Sequence, residues 1–259
     1  MVKGLYTAYT GMLNEQNRMD IMTNNLANAS TVGYKKEGST SQSFDDVLTV
    51  KIKDQSVGMR NAQKIGIKNP GVKIGENYTD YSQGSFRITG NTYDLALSGE
   101  GFFAIEFTNK AGETDTKYTR AGQFTLNKDG YLVTEEGDYV LDTQNRRIRL
   151  NTLIDSSITD DGTIYQNGQA MAKIQVTDFA DYDYLEKYGE TYYQPIQGAQ
   201  TIASNAQVKS GYLEMANVQI VSEMVNLISI TRAYESNQKV VQTIDDTLDV
   251  AVNQIGRIQ

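Results

Sequence analysis

The side chains that most often carry enzyme chemistry are scarce in this 259-residue chain. It has no Cys and no His, which excludes cysteine nucleophiles, Ser-His-Asp triads and Cys or His zinc sites. Carboxylates and glycine turns remain. Glu106 and Asp94 are a pair that could serve a glycosidase, but that chemistry needs two carboxyl groups at a set separation, and nothing in the sequence fixes one. Ser98-Gly99-Glu100-Gly101 holds a Gly-x-Gly, yet a strand-like Phe102-Phe103 follows where a dinucleotide site needs a helix. Asn127-Lys128-Asp129-Gly130 and Asp160-Asp161-Gly162 share fragments of calcium loops and lack the closing Glu, so both read as hairpin turns. Asp178 to Tyr193 interleaves Tyr with acids as a sugar-binding groove does, and reads more readily as the solvated edge of a sheet. The sequence thus assigns no catalytic residue, cofactor or metal, and leaves an extracellular carbohydrate-binding β module as the alternative to a non-enzymatic role.

Charge narrows the partners. Lys plus Arg number 24 against 32 Asp plus Glu, a net charge of -8, which argues against a sequence-independent grip on nucleic acid or anionic lipid. Mean hydropathy is -0.48, and no run approaches the roughly 20 apolar residues that span a bilayer, so no membrane insertion is expected. The N-terminus lacks the apolar stretch and cleavage site of a secretory signal.

Three segments position whatever function exists. Residues 1–68 form a helix and an extended connector, 69–205 a β-rich centre, and 206–259 a second helix. The centre carries eleven basic against twenty acidic residues and most of the Gly and Tyr. Its short apolar runs, Phe102 to Phe107, Phe124 to Leu126, Tyr131 to Val133 and Tyr139 to Leu141, are divided by turn signals. Asn167-Gly168 suits a tight hairpin, after which Ala172, Ile174 and Val176 alternate with Lys173 and Gln175. At the C-terminus, Ile220, Leu227, Tyr234, Val241, Leu248 and Ile255 recur every seventh residue, with Met224 and Val252 on a companion position that is polar at Thr231, Gln238 and Asp245. Val221, Ile228, Ile230, Ile244, Ala251 and Ile258 widen that stripe, and the helix should run from about Met215 to Ile258. Leu5, Met12, Met19 and Leu26 make a matching seam at the N-terminus, with Ala8 and Met22 as companions and Leu13 and Ile21 beside them. Asn24, Asn25, Asn28 and Gly33 signal the end of that helix, and Lys35-Lys36 a hydrophilic exit. The fold class is α+β: long terminal helices forming a coiled-coil-like domain and a central, mainly antiparallel β domain, either a sandwich or a partly open barrel. Such helices can pack on their own β segment; their place at opposite termini and their Met-rich, interrupted seams favour packing among several neighbours.

These residues carry a resemblance. NNLANASTVGYKK (Asn24 to Lys36) resembles the signature closing the N-terminal helix in axial proteins of the bacterial flagellum, the rod and hook subunits, and NVQIVSEMVNLISITRAYESNQKVVQTIDDTL (Asn217 to Leu248) is similar to their C-terminal signature. QGSFRITGNTYDLALSGEGFFAI and YTRAGQFTLNKDGYLVTEEGDYVL resemble the region these proteins share between them. Length and the central motifs are most similar to distal rod members, with proximal rod members close behind. Val32 and Tyr34 depart from the commoner Pro or Thr and Phe. The resemblance implies a homo-oligomeric helical tube in the basal body. The terminal helices of many copies would pack inside and the β domains outside, meeting neighbouring rod and hook subunits after flagellar type III export. It implies an assembly interface of Leu5, Met12, Met19, Asn24, Asn25, Leu26, Asn28, Gly33, Tyr34, Met224, Leu227, Tyr234, Val241 and Leu248, in which the three Asn bond to backbone at the helix end and Gly33 makes a turn of positive φ.

Overall fold

The computed structural model describes residues 2–51, 63–109 and 112–253. The chain has an N-terminal helix, a C-terminal helix and a central antiparallel β region, and it folds into two compact units. One comprises Met1–Leu26, Glu37–Asp80 and Ile220–Gln259, the other Ala27–Lys36 and Tyr81–Gln219.

The first unit is built on α1 (Val2–Ala27) and α2 (Ile220–Asn253), of 26 and 34 residues. At about 1.5 Å per residue these are roughly 39 and 51 Å long. No helix among the described residues is long and apolar enough to cross a membrane. The helix expected from Met215 starts later, at Ile220, because the backbone at Met215 is already committed. Its N–H donates to Ser85 O at 2.9 Å, and the residue bridges Val32 in strand fashion, which takes extended and not helical backbone angles. Ile255 and Ile258 lie outside the described residues.

The connector after α1 is paired β structure. β1 (Glu37–Ser43) runs antiparallel to β4 (Val72–Thr79), and β2 (Val47–Lys51) to β3 (Gln63–Lys68). One face of α1 lies on this layer: Thr7 Oγ1 donates to Pro70 O at 3.2 Å, and Ser41 Oγ donates to Asn14 Oδ1 at 3.0 Å.

In the second unit, β5 (Phe86–Ile88) and β6 (Leu95–Ser98) pair with late strands, β20 (Tyr212–Glu214) and β19 (Gln207–Ser210) respectively. Between them β7 (Phe102–Thr108) is the centre of the largest sheet. β8 (Thr114–Thr119) lies along one side of it, while β11 (Tyr139–Val140) and β15 (Val176–Phe179) share the other. β10 (Leu132–Thr134) and β9 (Phe124–Leu126) extend the sheet beyond β11. β17 (Tyr192–Pro195) and β16 (Leu185–Tyr188) extend it beyond β8, and β18 (Thr201–Ala203) pairs with β15. A separate meander holds β12 (Ser156–Ile158), β13 (Thr163–Gln166) and β14 (Gln169–Lys173). The expected hairpin turn joins the last two, with Asn167 and Gly168 at φ 52° and 77°.

Residues 102–105 are all fully buried, which marks a strand covered on both faces. Alternation then feeds two cores. Phe103 joins Leu97, Phe124, Leu132, Ile148 and Ile174 on one face, while Phe102 and Ala104 join Tyr118, Leu141, Phe179 and Tyr193 on the other.

Two readings of the centre are corrected. The alternation at Ala172, Ile174 and Val176 is not one strand, because the Ile174 N–H turns to Gly162 O and the Gln175 N–H to Leu141 O, carrying the chain from the meander into the main sheet. Asp178 to Tyr193 is not simply a solvated edge. β16 is an edge strand, but Asp178, Phe179, Leu185, Tyr192 and Tyr193 are buried, and Tyr193 stacks 5.3 Å from Phe102 between ring centroids. The 17 Tyr of the chain offer large apolar area with a polar tip, and here much of that area makes the core.

Candidate assembly surface

The helical seams come first, because their residues are the predicted interface. Partners that rise along α1 fall along α2. A Cβ on Gly4 would lie 3.5 Å from Ile244 Cδ1, one on Gly11 3.1 Å from Asn237 Nδ2, and Thr231 Oγ1 lies 4.0 Å from Met19 Sδ. Within this unit the helices therefore run antiparallel, approaching where α1 has no side chain. Leu5, Met12, Met19 and Leu26 are half-buried, as are Leu227, Tyr234, Val241 and Leu248. The companion row of α2 is corrected. Met224, Gln238, Asp245 and Val252 are exposed and Thr231 alone of that row is half-buried, whereas Ile230, Asn237, Ile244 and Ala251, three residues after each seam position instead of four, are buried or half-buried. The 3-4 spacing of a heptad admits either row, and the second is the one that lies against α1, with Asn237 beside Gly11 and Ile244 beside Gly4.

Other faces stay open. On α1, Tyr6, Tyr9 and Leu13 are exposed; on α2, Ile220, Val221, Met224, Val225 and Ile228 are, with Val221 at 77% and Val225 at 61%. Spacings of three, four, five and eight place each set on one helical stripe. Sequence reasoning named Leu13, Met224 and Val225 but did not single out Tyr6 or Tyr9, although the i, i+3, i+7 spacing that joins them to Leu13 was readable.

The signature after α1 is built on backbone capture. Asn25 is fully buried and pairs with the main chain of Glu37 in both directions: its Nδ2 donates to Glu37 O at 2.7 Å, and Glu37 N–H donates to its Oδ1 at 2.9 Å. Asn28 accepts from Thr31, at its carbonyl from the N–H and at Oδ1 from the hydroxyl, at 3.0 and 3.1 Å. Asn24 is exposed. Gly33 takes φ 71°, and a Cβ there would lie 2.3 Å from Ala121 N, so the position forbids a side chain on both counts. Tyr34 is fully buried with Lys187 Nζ 4.3 Å from its ring centroid. The hydrophilic exit at Lys35 is corrected: Lys35 is 1% exposed and ion-paired to Glu214 at 2.7 Å, since an internal carboxylate can hold a buried ammonium.

The carboxylates weighed for catalysis are placed differently. Glu106 receives two bonds from Arg147, at 2.9 and 2.7 Å. These bonds hold its carboxyl below the usual range, against the opposing push of burial, which suits an ion-paired carboxylate and not a proton donor. Asp94 accepts from Asn91 Nδ2 at 3.0 Å. Tyr182 donates to Asp178 at 2.8 Å, and Tyr192 to Asp138 at 2.9 Å, so the Tyr-rich stretch uses its polar tips internally. Among the described residues no group of three or more acidic side chains is arranged to hold a metal ion.

Three family profiles match the chain in order. They are the flagella basal body rod protein profile at residues 5–35, the flagellar hook protein FlgE/F/G D1 domain at 96–168 and the flagellar basal body rod FlgEFG protein C-terminal profile at 209–255. The chain is 34% identical to the flagellar basal-body rod protein FlgG of Bacillus subtilis, over 98% of its own length and 99% of that protein's. It is 31% identical to the flagellar hook-basal body complex protein FlhO of the same organism and 31% identical to the flagellar basal-body rod protein FlgF of Caulobacter vibrioides, each over the full length of both chains.

Proposed function

The chain belongs to the flagellar basal-body rod protein family, whose place is the flagellar basal body and whose role is structural, and from that premise we propose that copies of it self-assemble into a helical tube that transmits torque from the motor to the hook. α1 and α2 pair in coiled-coil fashion and, with the same helices of neighbouring copies, line the tube. The β domain, layered on both faces of β7 like a sandwich, forms the outer wall. A head-to-tail contact whose rotation does not close gives an open-ended filament. Its partners are further copies of itself, the adjoining rod and hook subunits and the flagellar export apparatus.

The observation that supports this reading is the apolar stripe left open on each terminal helix, Tyr6, Tyr9 and Leu13 on one and Val221, Val225 and Ile228 on the other. Exposed apolar surface of this continuity marks an interaction site. The assembly residues are Leu5, Met12, Met19, Leu26, Leu227, Tyr234, Val241 and Leu248 along the seams, with Met224 on the open stripe. Asn24, Asn25, Asn28, Gly33 and Tyr34 set the exit of α1.

The test is Leu248→Asp. A carboxylate on the seam is buried unpaired in every copy, at a cost of a few kcal/mol, roughly the cost of an uncompensated buried polar group. The variant should keep the near-ultraviolet circular dichroism of its Tyr-rich β unit, form no tubes under electron microscopy and leave cells non-motile. Normal swimming would refute the reading.

A further inference from the structure

The chain passes between its two units at four places: after Leu26, Lys36, Asp80 and Gln219. Segments beside three of them meet inside the second unit. Residues 33–36 precede one crossing, 82–85 follow another and 214–217 precede the last. One carboxylate sits at their junction. Glu214 is fully buried and accepts from Lys35 Nζ at 2.7 Å and from the Gly84 N–H at 3.0 Å on one oxygen, and from Arg120 Nη1 at 3.3 Å on the other. Lys35 carries the link further, donating to Ser82 O at 2.8 Å. Arg120 is 3% exposed, with its guanidinium carbon 5.2 Å from the Phe102 ring centroid.

Backbone and amide bonds run in parallel. The Gly33 N–H donates to Glu214 O at 2.8 Å, and the Met215 N–H to Ser85 O at 2.9 Å. Asn217 accepts the Lys36 N–H at 2.7 Å and donates to Ser82 O at 3.2 Å. Two cations and one anion in an apolar setting are not an efficient way to gain stability, since well-packed apolar residues often do as well. What ionic hydrogen bonds add is direction.

We infer that Glu214 is a positioning residue: it gathers, at one point inside the second unit, the segments beside three of the four chain crossings. The gathering does not rest on the function proposed above. Gln at position 214 keeps the shape and removes the negative charge that Lys35 and Arg120 both face.

The experiment is amide hydrogen exchange on the full-length protein, dilute and unassembled. In Glu214→Gln the amides of Gly33, Gly84 and Met215 should exchange faster by about tenfold or more, while those of Ala104 and Leu141 in the main sheet stay protected, as for a local opening. A second variant, Lys35→Met, Arg120→Met and Glu214→Leu together, removes the charges without leaving one unpaired. It should keep the melting temperature while the same three amides remain fast. Unchanged exchange at those amides in Glu214→Gln overturns the inference. So does loss of protection throughout the sheet, which would make Glu214 a stability residue, or return of protection in the triple variant, which would assign the gathering to packing alone. The readout needs no assembly, so its failure is distinct from that of Leu248→Asp.

Discussion

β7 and α2 are both apolar elements, and they end in opposite states. Phe102, Phe103, Ala104 and Ile105 are wholly covered by strands and side chains of their own unit, feeding a core on each face. Along α2 only Glu223 and Ile230 are buried among the described residues, and apolar side chains remain in water over one flank. A strand in the middle of a sheet meets partners on two edges and two faces, so a single chain can satisfy it. A helix about 51 Å long with α1 beside it covers one stripe and leaves others. The β unit is finished as a monomer and the helices are not, a division that suits a subunit required to hold its own shape and still bond to its neighbours.

The contrast can be broken most forcefully from the β side. Phe103→Ala removes a ring that meets Phe124 edge-to-face at 5.2 Å and leaves a cavity. It should cost about 3–5 kcal/mol, read by urea denaturation followed through tyrosine fluorescence. A loss of only about 0.5 kcal/mol, as is typical of surface changes, would show that the core is looser than its burial indicates. On the helical side the expectation reverses. Ile228→Ser, at a position 54% exposed, should change monomer stability by less than about 0.5 kcal/mol yet reduce tube formation in a sedimentation assay. Equal loss of both would put Ile228 in the monomer's own core.

The smallest effect sharpens the comparison at the surface of the finished unit. Arg147 holds Glu106 and also lies 4.3 Å from the Tyr139 ring centroid. Because the pair depresses the Glu106 pKa in the folded state, its stabilisation is complete above the ordinary glutamate value of about 4.3. It is lost as the pH falls through the lower, folded value. Arg147→Ala should thus cost less than about 1 kcal/mol near neutrality, as for other solvent-touched pairs, with the difference from the parent protein vanishing in acid. Parallel stability curves down to the lowest pH would exclude the pair as its source.

Local signals made the helices and hairpins legible. Seven-residue recurrence from Leu5 to Leu26 places α1, and Asn167-Gly168 places its turn, because both depend on residues near each other in sequence. The start of α2 was misplaced because Met215 to Gln219 contains nothing hostile to a helix. What stops it is Ser85, more than a hundred residues away. The companion row was misassigned for a related reason: periodicity fixes a seam, but which flank turns inward depends on where the other helix lies. Lys35 read as solvated because a lysine usually is, and its partners Glu214 and Ser82 are far off in the chain. The strands of the connector were signalled by alternation at Val72-Lys73-Ile74, a pattern too short to outweigh its polar surroundings.

The near-contact of Gly11 with Asn237 has one more effect. Sliding α1 by a turn toward its N-terminus would bring Asn14 or Glu15 to the place where even a Cβ would lie 3.1 Å from Asn237 Nδ2, and the amide would have to give way to a longer side chain. The close approach at Gly11 therefore favours the present longitudinal setting of the two helices. A tube built as proposed above would receive helix pairs already registered before the first two copies meet.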